Sequence, residues 1–201
     1  MQALEITIFA FVTCATPGPV NVVATVMGAQ KGVRVSIPFV LGATLGLSFV
    51  ILVSSFGVSQ ILKTNELLAN TITFIGSLYL LHLAFLMSRK SSSIATNSGV
   101  VQTAGFYQGA ILQLINPKAW LVSMSGLAMF LNTSGKSMLA FYVLMFFIAC
   151  FVSIFMWVCL GSVIASKLKG TYVTFFNRSM ATLLSTLVLC NLANMLSPYF
   201  Q

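Results

Sequence analysis

Acidic residues are almost missing from this 201-residue chain: Glu5 and Glu66 are its only carboxylates, and there is no aspartate. Histidine occurs once, at His82. That inventory excludes a site of hard oxygen ligands and a zinc-type ligand set. It also leaves nothing from which to assemble an acid pair or a nucleophile–base constellation at membrane depth, so no enzyme is expected. Charge of either sign is scarce, at 6% of residues against about 25% in a typical soluble domain. Twelve formal charges cannot cover a water-facing surface of this size. The four cysteines, Cys14, Cys150, Cys159 and Cys190, form no CxxC pair and lie in apolar stretches, where they read as small buried hydrophobes. No metal or other cofactor is implied. What is present in quantity is apolar: 58% hydrophobic residues and a mean hydropathy of +1.00. Lipid is the solvent that suits such a surface.

The net charge of +8 does not point to nucleic acid, because the basic residues stand singly or in pairs between apolar runs rather than clustered on one patch. They read as topology signals. A membrane-spanning helix needs about 20 mostly apolar residues. That criterion predicts six spans, at 4–28, 37–62, 67–87, 106–131, 138–165 and 172–196. The runs are continuous and too long for barrel strands, which alternate polar and apolar over about ten residues. The opening residues carry no basic segment, so the first run is expected to be a retained helix rather than a cleaved signal. Lys31, Arg34, Arg89, Lys90, Lys167 and Lys169 follow odd-numbered spans, whereas only Lys63 and Lys136 follow even-numbered ones. The positive-inside rule then places both termini outside.

A polar stretch rich in serine divides the chain into 1–88, a linker at 89–105, and 106–201. Three spans on each side predict two three-helix repeats, the second inverted relative to the first. Proline gives the repeat its chemistry. Thr16-Pro17-Gly18-Pro19-Val20-Asn21 interrupts the first helix of one half, and Asn116-Pro117-Lys118 interrupts the first helix of the other. Each break falls about a dozen residues into its span, near the expected midplane. The fold class is therefore an all-α integral membrane protein, with six helices in two inverted repeats whose first helices are proline-broken.

Proline within a helix removes a hydrogen bond and costs ~3 kcal/mol or more. Opened backbone is tolerated at membrane depth only inside protein or along a cavity. Beyond each break the half-helix offers N–H groups and a positive dipole end to an anionic group, and the carbonyls before it suit an ammonium. Pro17, Gly18, Pro19, Asn21, Asn116, Pro117 and Lys118 are the candidate solute-binding residues, and a zwitterion is the natural ligand. Each also has a structural reading. Proline can merely kink a packed helix, asparagine can re-satisfy the freed backbone, and Lys118 can pin the broken carbonyls. A lysine at this depth costs ~2.5–3.5 kcal/mol on insertion scales, so it faces the interior of the bundle or water. For proton coupling the titratable candidates are His82, in the third span, and Glu5, near the outer end of the first. Gly42 and Gly46 form a GxxxG that lets helices approach closely, and Ser123, Ser125, Asn191 and Asn194 read as hydrogen bonders between helices.

Thr16-Pro17-Gly18-Pro19 with Asn21, then Gly32 and Arg34, Leu41-Gly42 and Gly46, resembles the opening of the LysE/RhtB amino-acid exporters. Ile75-Gly76, Tyr79-Leu80-Leu81, Phe106, Gly109, Asn116-Pro117-Lys118-Ala119 and Asn177-Arg178 continue the likeness over nearly the whole chain. Val20 stands where that family usually carries asparagine, and Asn21 fits a subgroup that resembles the cysteine and O-acetylserine exporters. The resemblance implies export of amino acids or close derivatives across the bacterial inner membrane, driven by the proton gradient. The partners implied are a small amino-acid substrate and membrane lipid, with no nucleic acid; a homo-oligomer is compatible with the sequence. An exporter of another small solute or a cation, and a structural membrane subunit that transports nothing, are the competing readings.

Overall fold

The computed structural model describes residues 2–58, 66–88, 105–130, 136–167 and 171–196. Among these the chain is helical apart from short turns, as apolar runs without internal polar partners require. The helices are α1 (Gln2–Ala15), α2 (Pro19–Val53), α3 (Glu66–Ser88), α4 (Phe106–Leu114), α5 (Pro117–Phe130), α6 (Lys136–Lys167) and α7 (Thr171–Leu196). A single π-helical turn, Ser54–Val58, follows α2. Residues 89–104 of the expected linker, Arg89 and Lys90 among them, lie outside the described residues, as do Lys63 and Lys169.

The helices divide the chain differently from the expected spans. The span at 4–28 is two helices, α1 and the start of α2, separated at residues 16–18. The expected 106–131 span is likewise divided into α4 and α5 at Ile115 and Asn116. The loop expected between the first and second spans contracts to one residue. Gly32 has φ +77° and interrupts an otherwise helical α2, so that two limbs leave it in different directions. An added Cβ at Gly32 would meet nothing within 4 Å, so the backbone conformation and not crowding calls for glycine there.

Every residue from Pro19 to Gly28 is buried, which makes the first limb of α2 the central helix. α2 packs chiefly against α6 and α4, α1 packs against α6, and α3 pairs with α7. Backbones touch at the main seams. A Cβ on Gly28 would strike the Val158 carbonyl, and one on Gly161 would strike that of Thr25. On the second limb of α2, Gly42 faces the Phe106 carbonyl and Gly46 that of Ala110, which is the packing role read from GxxxG. The hydroxyl of Ser123 instead bonds within its own helix, to the Ala119 carbonyl at 2.7 Å, and Ser125 is exposed. These two serines therefore do not serve as the expected links between helices; the side chains of Asn191 and Asn194 lie outside the described set.

The distribution of polarity is inverted relative to a soluble domain. Leu4, Phe49, Phe56, Leu121, Met156 and Phe175 are exposed on the outside, whereas Asn21, Gln113 and Asn116 are buried. Pro19–Phe56 and Met138–Ala165 are each long and apolar enough to cross a membrane. At about 1.5 Å per residue, the 28 residues of Met138–Ala165 exceed a hydrocarbon core of about 30 Å.

Candidate functional site

The double proline at 17 and 19 stops α1 and restarts the chain as α2. Pro19 occupies the first helical position, where its missing N–H costs nothing. Gly18 is the N-cap, extended at φ −158° and ψ 171°, and it offers no side chain to the helix end. Val22 N–H returns to the Gly18 carbonyl at 3.0 Å, while the N–H groups of Val20 and Asn21 have no capping side chain.

The carbonyls that end α1 are closely attended. Asn21 Nδ2 donates to the carbonyls of Cys14 and Thr16, both at 3.0 Å. Ser153 Oγ reaches the Cys14 carbonyl at 2.7 Å, and Trp157 Nε1 reaches that of Ala15 at 3.3 Å. Lys118 Nζ donates to the Thr16 carbonyl at 2.9 Å and to Thr16 Oγ1 at 2.8 Å. Lysine from the second break thus clamps the first. The carbonyls expected to await an ammonium are already occupied in this conformation, with four side chains donating to those of Cys14, Ala15 and Thr16.

The second break is nearly self-contained. Asn116 Oδ1 accepts from Lys118 N at 3.1 Å, and the Asn116 carbonyl accepts from Ala119 N at 3.0 Å. Trp120 Nε1 returns to the Leu114 carbonyl at 2.7 Å, and Asn116 Nδ2 donates to Gln113 Oε1 at 3.3 Å.

A cavity of about 40 Å³ lies where the breaks meet. At roughly 10–15 Å³ per water, it holds a few waters and not a whole amino acid. Of the sequence candidates, Gly18, Asn21, Asn116 and Lys118 line it. Pro17 is exposed at the break, while Pro19 and Pro117 start their helices and shape the opening without lining it. Glu5 is exposed in the first turn of α1 and His82 is exposed on α3, and neither lines the cavity. Sequence reasoning missed Thr16, Gln113, Ser153 and Trp157. Gln113 was detectable as an amide in an apolar run three residues before Asn116. Ser153 and Trp157, four apart on one face of α6, acquire meaning only when α1 is laid against them. Nor are the cysteines uniformly core residues: Cys150 is buried and lines the cavity with half-buried Cys14, whereas Cys190 is exposed.

Among the described residues Lys118 is the one cationic residue lining the cavity, and no carboxylate or imidazole joins it there. A cation beside an uncapped helix N-terminus makes a site for an anionic group. Polar breaks around a small internal cavity, enclosed by an apolar exterior, mark an integral membrane protein. A family model for LysE type translocators matches residues 11–196, and the chain belongs to that family. It is similar to a cysteine/O-acetylserine efflux protein of Klebsiella pneumoniae, 26% identical over 122 residues, 61% of each chain. A leucine efflux protein of Salmonella typhimurium is 27% identical over 133 residues, covering 64% of this chain and 63% of that one. The membrane protein YrhP of Bacillus subtilis is 26% identical over 109 residues, 48% of this chain and 52% of its own. The chain spans less than two thirds of the length of each of these relatives. No solved structure matches it.

Proposed function

We propose that this protein is a secondary transporter exporting amino acids or close derivatives across the bacterial inner membrane. The observation that carries the reading is the Lys118 ammonium, which joins the two helix breaks and faces the uncapped start of α2 across the cavity. The names of the relatives, which move cysteine, O-acetylserine or leucine outward, support an amino-acid substrate.

Binding exchanges one set of partners for another. The solute carboxylate takes the Lys118 ammonium and the N–H groups of Val20 and Asn21. Lys118 then leaves Thr16, and the released Thr16 carbonyl and hydroxyl receive the solute ammonium. The zwitterion thus replaces the clamp between the breaks, freeing the helices to move while it is bound. Gly18, Asn21, Asn116 and Lys118 contact the solute, and Pro17, Pro19 and Pro117 hold the breaks open. The six spans form two inverted repeats, 1–88 and 106–201 about the 89–105 linker, with both termini outside. One repeat rocks against the other to alternate access, and the reading assigns no catalysis to the chain. The proton gradient drives export, with His82 and Glu5 as coupling groups acting from outside the cavity. Loss of efflux on adding an uncoupler, reproduced by His82→Gln or Glu5→Gln, is the expected behaviour.

Thermal unfolding of the detergent-purified protein against a panel of free amino acids and O-acetyl-L-serine tests the substrate class. A ligand for the folded state stabilises by ~2.7 kcal/mol at a hundredfold excess over its dissociation constant. The expected result is a shift with one small group of amino acids that disappears in Lys118→Ala and Pro17→Ala. No shift with any of them, in protein that unfolds cooperatively, would point to another solute or to a structural role.

A further inference from the structure

We infer that Phe9, Tyr142 and Phe146 form a plug closing the cavity toward the N-terminus of α1, and that the solute meets the Tyr142 hydroxyl when the plug parts. The inference rests on reading the cavity as a solute site. Phe146 is part of the cavity wall, together with Thr13 of α1 and Val122 of α5. One helical turn from each of these lies Tyr142 on α6, Phe9 on α1 and Gly126 on α5. The steps run backward along α1 and α6 and forward along α5, and all three converge. Gly126 is the residue at which a Cβ would collide with the Tyr142 hydroxyl and press on the Phe9 ring.

The rings are in contact. The Tyr142 and Phe146 centroids are 4.6 Å apart, and those of Phe9 and Phe146 are 6.0 Å apart. Phe9 also meets Phe130 edge-on at 5.6 Å, which carries the seal one further turn outward. There Gln2 Nε2 donates to the Phe130 carbonyl at 2.7 Å and ties the start of α1 to the end of α5. The plug therefore lies on the path from the cavity to the membrane face that displays the N-terminus.

Tyr142 is fully buried, yet among the described residues its hydroxyl has no hydrogen-bond partner. Phenylalanine would fill the same space without leaving a buried polar atom unpaired. The unpaired hydroxyl disfavours the closed plug, and an arrangement in which it meets water or the polar groups of a passing solute removes the penalty. Closed packing by the rings opposes opening, and the hydroxyl lowers what opening costs.

The cavity thiols report on the plug without any solute. Cys159→Ser and Cys190→Ser leave Cys14 and Cys150, both in the cavity wall, as the reactive positions. Membranes holding the full chain are exposed to an impermeant methanethiosulfonate from the face at which an N-terminal tag is accessible, and in parallel from the other face. Phe9→Ala and Phe146→Ala should each speed labelling from the tag face about tenfold or more and leave the other face unchanged, since opening is a population shift of that gate. Tyr142→Phe should slow it about fivefold, because the closed plug loses its unpaired hydroxyl. Misfolding cannot yield opposite changes from neighbouring rings. Unchanged labelling in the alanine variants, or acceleration from both faces alike, overturns the plug. Tyr142→Phe labelling at the parental rate overturns the role of the hydroxyl. The amino-acid panel can fail independently, in which case the solute reading falls while the labelling pattern stands.

Discussion

The two helix breaks solve one problem by different means. At the second, the chain repairs itself: Asn116 caps α5 with its own side chain and carbonyl, and Trp120 bonds back to the Leu114 carbonyl. At the first, Gly18 has no side chain to cap with, and the open carbonyls depend on Asn21, Ser153, Trp157 and Lys118. A break satisfied within its own segment keeps its shape when its surroundings move. A break satisfied by other helices changes partners when they move. On the proposed reading the second break is a fixed platform carrying the lysine, and the first is where partners are exchanged.

The largest effect expected from this contrast is at Lys118. Lys118→Ala removes two charge-assisted contacts, each worth about 1.5–3 kcal/mol, and should cut amino-acid efflux by roughly a hundredfold or more. Lys118→Arg should recover part of it. The asparagines come next. Asn21→Ala strips a donor from two carbonyls and should lower stability by about 1–3 kcal/mol. Asn116→Ala loses a cap whose removal costs about 1 kcal/mol. Denaturant or thermal unfolding that ranked Asn116→Ala as clearly the more damaging would reverse the assignment of platform and exchange site. The smallest effect is the sharpest. Gly18→Ser adds a capping hydroxyl to α2, and its Cβ would meet Lys118 at no less than an ordinary 3.4 Å. The empty protein should gain only about a few tenths of a kcal/mol, while the added cap competes with the solute carboxylate and weakens binding several-fold. A serine that left affinity untouched would place the carboxylate elsewhere.

The breaks were legible in the sequence because proline acts locally: Pro17, Pro19 and Pro117 forbid a continuous helix whatever surrounds them. The apolar runs were equally plain, except where Gly32 turned an expected loop into a single-residue kink. Among the site residues, Asn21, Asn116 and Lys118 stood out as polar groups at membrane depth. The side chains that reach the end of α1 from α6 did not. Ser153 and Trp157 matter because α6 crosses the end of α1, and the contacts of Gly28 with Val158 and Gly161 with Thr25 join segments more than a hundred residues apart. Tyr142 reads as one more aromatic in an apolar run, and only its unpaired hydroxyl sets it apart. The expectation that the cysteines are small buried hydrophobes holds for Cys150 and fails for exposed Cys190, since position in an apolar run does not tell which face is turned outward.

The most direct test of the central claim is counterflow in proteoliposomes containing the purified full chain. L-cysteine, O-acetyl-L-serine and L-leucine are loaded in turn, and the labelled compound is offered outside. The account predicts saturable accumulation of at least one of them by the parent protein, little or none by Lys118→Ala, and weaker apparent affinity with Gly18→Ser. Accumulation by Lys118→Ala at the parental rate and affinity would contradict it, because the ammonium joining the two breaks would then have no part in moving the solute.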